Sequence, residues 1–320
     1  MKHIVCSALC FALALSSLAV DVHHAMNADV PGVARFAMGR YVLFVFEDAK
    51  YIMPPEAFVT SPSGKKNTPF QTSNNVFFIL TPSKRLMMFD AGLGDLTVKG
   101  MTQGTLLGKM KAMKFDTDDV RDIFISHVHA DHVGGLLDAR KTPVFRRAVV
   151  HISDREVQAC NVGGSVNHQL WRDVVAAYQT QLRPFKIGKH DLQVHNEKVM
   201  AVNTVGHSPG HMAYQFGNLV IGGSTIHQPA LQAPNPDVCT VLDFSDLPGQ
   251  QSQGGSLANQ SRAALQAIKS RKIVMQKALD SNGVLACTHI PFPGLITVKA
   301  VKNGFQSSAY QAEQNLLVAP

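Results

Sequence analysis

Ile123-Phe124-Ile125-Ser126-His127-Val128-His129-Ala130-Asp131-His132 sets four metal-binding side chains within six positions, directly behind an apolar run. Three consecutive β-branched and aromatic residues read as a buried strand, and the polar stretch that follows reads as the turn leaving it. Imidazoles and a carboxylate at this spacing on a turn can point into one small volume. His127 and His129 lie two apart and can share one cation, while Asp131 and His132 fall on an adjacent one. Zinc favours such nitrogen and oxygen donors and keeps a coordination position open for water when the site is catalytic. A single histidine usually signals nothing. Four donors this dense signal metal.

Two further stretches supply histidines in a similar setting. Gly206-His207-Ser208-Pro209-Gly210-His211 reads as a turn that presents an imidazole, and Thr288-His289 ends the apolar run Val284-Leu285-Ala286-Cys287. With these motifs, and with Asp90 in Phe89-Asp90-Ala91-Gly92, the chain resembles the metallo-β-lactamase fold superfamily of metal-dependent hydrolases from about Val33 to its end. It is most similar to the methyl parathion hydrolase and lactonase-like branch, through Pro31-Gly32, Arg35-Phe36, Gly39 and the tail Thr288-His289-Ile290-Pro291-Phe292-Pro293-Gly294. The resemblance implies an α+β fold, an αββα four-layer sandwich of two sheets covered by helices. Periodicity alone shows only mixed α and β. The resemblance also implies two ligand sets: His127, His129 and His207 for one metal, and Asp131, His132 and His289 for the other.

One position departs from the branch. After the strand Leu219-Val220-Ile221, dinuclear relatives carry an aspartate that bridges both metals, and here Ser224 stands in Gly222-Gly223-Ser224-Thr225-Ile226-His227. A neutral hydroxyl cannot bridge two cations as a carboxylate does. Three protein ligands plus water still make a workable catalytic zinc site. The same two sets, with a serine nearby, also resemble one β-lactamase subclass.

The implied activity is hydrolysis of ester, lactone or organophosphate-type bonds by hydroxide generated on the metal. Zn2+ is the expected cofactor, as one or two ions, with other divalent metals as substitutes. Asp131 is expected to orient the nucleophile while holding the second metal. His227, three residues after Ser224, is the candidate for contacting a developing oxyanion or leaving group, with an ordinary loop histidine as the alternative. His211 is expected to support a ligand rather than be one. His151 reads as structural, and His168, His190 and His195 as surface residues. Two other readings stay open: a β-lactam hydrolase, and a catalytically silent relative that binds metal or a partner.

Composition bounds the rest. The chain has 320 residues with 45% hydrophobic and 17% charged, as in a globular protein with a large core. Its net charge of +7 is spread without dense basic runs, so a small-molecule substrate is expected and a nucleic acid is not. Lys2, the apolar stretch 4–15 and Ser17-Leu18-Ala19 read as a signal peptide over residues 1–19. Residues 20–320 then form one hydrolase domain in a secreted or periplasmic protein, with no stable membrane insertion after cleavage. Export would leave Cys160, Cys239 and Cys287, of which only Cys160 with Cys239 is a candidate disulfide. The sequence sets no oligomeric state.

Elsewhere the pattern places strands over 34–46, 76–80, 85–89, 148–152 and 192–203, and a hairpin at Gly217-Asn218. Residues 51–67 read as a loop broken by Pro54-Pro55 and Ser61-Pro62-Ser63-Gly64. Helices are expected over 106–113, 169–182 and 257–279. Ser153-Asp154-Arg155-Glu156 reads as a capping box that starts another helix, through Cys160. Trp171 lies off the apolar stripe of its helix, for packing elsewhere in the core or for lining a substrate pocket.

Overall fold

Phe44 and Phe46 point to one side of their strand while Leu43 and Val45 point to the other, and both sides are buried. A strand apolar on two faces must lie between two layers. The computed structural model describes residues 22–53, 69–161, 167–188, 191–240 and 257–311. Among these, fourteen strands form two seven-stranded sheets.

The first sheet follows chain order: β1 (Val33–Met38), β2 (Tyr41–Met53), β3 (Phe70–Leu80), β4 (Leu86–Phe89), β5 (Val120–Phe124), β6 (Val149–Ser153) and β7 (Leu182–Phe185). Pairing is antiparallel through β4 and parallel from β4 to β7. The second sheet also follows chain order: β8 (Asp191–Val194), β9 (Glu197–Asn203), β10 (Met212–Phe216), β11 (Leu219–Ile221), β12 (Val284–Ala286), β13 (Leu295–Val301) and β14 (Gly304–Ala309). Here only β11 and β12 run parallel.

Helices cover both outer faces. Of α1 (Val22–Asn27), α2 (Leu106–Ala112), α3 (Ala130–Val133), α4 (Asp154–Asn161) and α5 (His168–Ala177), the first sheet's outer face buries Ala25, Leu106, Met110, Cys160, Trp171 and Val174. After the short α6 (Pro229–Gln232), the long α7 (Leu257–Asp280) lays Val274, Met275 and Ala278 on the second sheet. Between the sheets lie Phe77, Ile79, Phe89, Phe124, Met212, Tyr214 and Ile221, among others. Fully burying such a side chain contributes about 1.5–3 kcal/mol, so this middle layer joins the halves firmly. The four layers are those of the αββα sandwich.

Some local expectations change. Strand β2 continues to Met53, where the sequence suggests a loop from Tyr51, because its partner β3 reaches back to Phe70 and pairs with it throughout. Helix α5 stops at Ala177, since Tyr178 turns inward and donates its hydroxyl to the Leu136 carbonyl. Trp171 is wholly buried in the outer layer. Cys160, Cys239 and Cys287 are buried and outside any disulfide, and burial pushes the Cys287 thiol up to about 12. The expected signal segment, residues 54–67 of the expected loop, and His190 lie outside the described residues.

Candidate metal centre

Every donor singled out above follows the C-terminal end of a strand. Asp90 follows β4, and His127 to His132 follow β5; His207 comes after β9, Ser224 and His227 after β11, and His289 after β12. Rigid strands thereby aim loops from both sheets at one place. Asp90 adopts φ 58°, a left-handed conformation that aspartate tolerates better than most residues, at the turn after β4. Gly135 must be glycine, because a Cβ there would stand 2.0 Å from the Ala91 carbonyl oxygen. That close approach lets the loop after β4 pack under α3.

Two groups of donors result. His127 Nε2 lies 2.7 Å from His129 Nδ1, and His207 Nε2 lies 3.0 Å from both. Beside it, His132 Nε2 stands 3.2 Å from His289 Nε2, with Asp131 Oδ2 at 3.6 and 3.4 Å from them. Bonds of about 2.0–2.1 Å to a tetrahedral ion separate ligands by about 3.3 Å. The second group already has that spacing, and the first is a few tenths of an ångström tighter. The rings of His127 and His132 are 4.0 Å apart, so the groups adjoin.

The hydrogen bonds behind these rings decide which nitrogens face inward. His132 Nδ1 donates to Asp90 Oδ2 at 2.8 Å, which leaves Nε2 a lone pair. The Ser126 hydroxyl donates to Asp90 at 2.9 Å, so His127 Nδ1 is the donor in its own 2.9 Å contact with that hydroxyl. Its Nε2 is therefore also a lone pair. Converging lone pairs repel unless a cation sits among them, and orienting partners of this kind are what metal-bound histidines carry. The donor set fits a divalent metal.

Charge separates the groups. Burial holds His127 and His207 well below the ordinary imidazole range, and neighbouring imidazoles add to it. Burial also opposes charge on His132, yet Asp131 and Asp90 outweigh it and raise its pKa. Asp131 is pushed up by burial but lowered overall by His132, His289 and His129. Burial takes His289 down to about 4, against the pull of Asp131.

Ser224 is fully buried against the second group, its Oγ 3.2 Å from His132 Nε2. Its amide donates to His211 Nε2 at 3.2 Å, and His211 Nδ1 meets Thr204 Oγ1 at 2.9 Å. His211 thus holds the Ser224 turn. His227 is fully buried, and neither ring nitrogen has a hydrogen-bond partner. Its ring stacks on His289, with centroids 5.4 Å apart and planes 5° apart, and lies 6.0 Å from His207. His151 stacks on Phe124 and bonds Asp122, away from both groups. Asp237 pairs with Lys272 at 2.9 Å.

Sequence reasoning passes over several residues that shape the centre. Asn74 donates to the Asp131 carbonyl at 2.9 Å, and Asn75 donates to the Thr288 and Ile290 carbonyls at 3.1 and 2.8 Å. Thr72 donates its hydroxyl to the His289 carbonyl. The signal was weak: both asparagines lie in the polar stretch Gln71 to Asn75, ahead of the apolar run Val76 to Leu80.

Comparison with known proteins bears on the family and the fold. The family model described as the metallo-beta-lactamase superfamily matches residues 70–270. No curated protein matches the sequence. Among solved structures, the dizinc quorum-quenching lactonase AidC, in complex with a homoserine product, superposes with TM-score 0.70 at 21% identity, covering 88% of this chain and 98% of that one. The hydrolase AbOPH of the beta lactamase superfamily gives TM-score 0.70 at 20% identity, with 88% and 99% covered. A probable metal-dependent hydrolase from Staphylococcus aureus gives 0.62 at 16%, with 81% and 93% covered. At these identities the likeness is one of fold.

Proposed function

From the premise that this chain belongs to the metallo-β-lactamase superfamily of metal-dependent hydrolases, we propose that it is a zinc hydrolase of uncharged ester, lactone or organophosphate-type bonds. The carrying observation is the pair of adjoining donor groups, His127, His129 and His207 beside Asp131, His132 and His289. Each group would hold one divalent cation, with other metals able to replace zinc. A cation there supplies Lewis acidity and makes water acidic enough to ionise near neutral pH.

The chain's own residues do the rest. Asp90 and Ser126 fix the imidazoles of His132 and His127 with their lone pairs inward. Asp131 holds the second group together and orients the attacking water. His227, buried and unpartnered beside both groups, offers a neutral N–H to the oxygen that gains charge as the bond breaks. The substrate class rests on the branch resemblance and on fold likeness to a lactonase.

Ser224 favours a second reading: a serine against His132 suits a β-lactam hydrolase with no bridging carboxylate. Metal content together with a panel of aryl ester, acyl-homoserine lactone, phosphotriester and cephalosporin separates the cases. Zinc with ester or lactone turnover is expected. Turnover of the cephalosporin alone would select the second reading, and a protein inert with Zn2+, Mn2+ and Co2+ would be a silent relative.

Export is part of the proposal. It is supported by the charged start, apolar stretch and small residues up to Ala19. The mature chain should begin near Val20, and N-terminal sequencing of secreted material that still carries Met1 would overturn this.

A further inference from the structure

The motif Ser153-Asp154-Arg155-Glu156 has the sequence of a helix cap, and half of it behaves as one: the Glu156 amide donates to Ser153 Oγ at 3.1 Å. The Glu156 side chain, 1% exposed, reaches two other loops. Its Oε1 accepts the Val128 amide at 3.1 Å, between His127 and His129. Its Oε2 accepts the Ser208 hydroxyl at 2.8 Å and the Gly210 amide at 2.7 Å, just beyond His207. Ser153 Oγ closes the circuit by donating to the Gly210 carbonyl at 2.6 Å. A Cβ on Gly210 would stand 2.2 Å from the Glu156 amide nitrogen, so the second glycine of Gly-His-Ser-Pro-Gly-His is what admits this contact.

We infer that Glu156 is the positioning residue of the three-histidine group: one buried carboxylate clasps the two loops, one from each sheet, that supply His127, His129 and His207. The inference rests on the reading that this group holds a metal. A carboxylate suits the task because both oxygens accept and neither donates. Glutamine fits the same space but has one acceptor oxygen, so its NH2 must face either the Val128 amide or the Ser208 and Gly210 donors. One loop is then released. Asp131 and His132 follow Val128 on the loop after β5, but no ligand of the second group lies beside Ser208 or Gly210, so the three-histidine group takes the larger effect.

The test separates the groups by background. In full-length metal-free protein carrying His289→Ala, Co2+ titration against a chromophoric chelator reads the three-histidine group; in His207→Ala it reads the other. Glu156→Gln should weaken Co2+ roughly 10- to 100-fold in the first background, the range for losing a ligand's supporting partner, and under about 3-fold in the second. It should also alter the visible Co2+ spectrum more in the first background than in the second. Ser208→Ala, which removes one of the three donors and keeps the carboxylate, should give a smaller loss in the same direction. It decides the matter should Glu156→Gln not fold. Unchanged affinity in the first background, or equal weakening in both, overturns the inference. If the His289→Ala parent itself binds no Co2+, the ligand assignment fails rather than the clasp.

Discussion

The two donor groups adjoin but are built on different principles. The first is three imidazoles, two of them driven far from protonation by burial, so its lone pairs stand ready before any cation arrives. The second relies on charge: Asp131 within it and Asp90 behind it pull His132 toward its protonated form, and Ser224 contributes no charge at all. Their supports differ as well. Glu156 ties the loops of the first, whereas Asn74 and Asn75 on β3 tie those of the second. A preformed neutral cage and a charge-dependent one should respond differently to the same disturbance.

Removing one ligand from each is the harshest way to break the comparison. His207→Ala should abolish the tighter metal equivalent and lower turnover by more than the roughly 10- to 100-fold typical of losing a supporting partner. His289→Ala should cost mainly the weaker equivalent. Elemental analysis after dialysis checks both, and two ions retained with equal, very tight affinity would erase the distinction.

Asp90→Asn comes next. It removes the carboxylate behind His132 and should weaken metal at the second group roughly 10- to 100-fold. The first group should suffer less, since Asp90 reaches His127 only through Ser126. Competition titration with a fluorescent zinc indicator would show two curves moving by different amounts.

Ser224→Asp sharpens the contrast from the other side. A carboxylate against His132 should raise occupancy of the second group, and ester or lactone turnover should rise with it. Higher occupancy with lower turnover would mean a centre tuned to work without a bridge. Higher occupancy without activity would mean a silent relative. No gain in metal would mean that this side chain does not serve the ions.

The smallest effect is with pH. Metal must displace a proton wherever the metal-free pKa is raised. That holds for His132, so affinity at the second group falls as pH drops through its raised pKa. His127 and His207 are already proton-free in that window, and the first group should keep its ion to lower pH. Metal retention measured from pH 8 to 5 should show the second equivalent leaving first.

Much of this centre was legible in the sequence because its donors cluster in motifs a few residues long at strand ends. His127 to His132, His207 and His289 needed no knowledge of what lies across the fold. The supports were not legible for the opposite reason. Glu156 reads as a local cap because its true partners lie 28, 52 and 54 residues away. Asn74 and Asn75 fall just outside the strand expected over 76–80, and only the pairing of loops explains them. Tyr51 to Met53 read as loop because Pro54-Pro55 follows at once; pairing with β3 carries the strand to Met53. Polar pairing over long range is where one-dimensional patterns run out.

Each donor group draws from both sheets: His127, His129, Asp131 and His132 come from the loop after β5, while His207 and His289 follow strands of the second sheet. Neither half of the sandwich owns a complete set. An ion in either group therefore acts as a bolt through two plates, binding only when they are docked. By mass action, free metal at a thousand times its dissociation constant adds about 4 kcal/mol to the docked state. Chelation would then do more than silence chemistry: it would loosen the seam between the halves, and the melting temperature of the whole chain would follow the metal in solution.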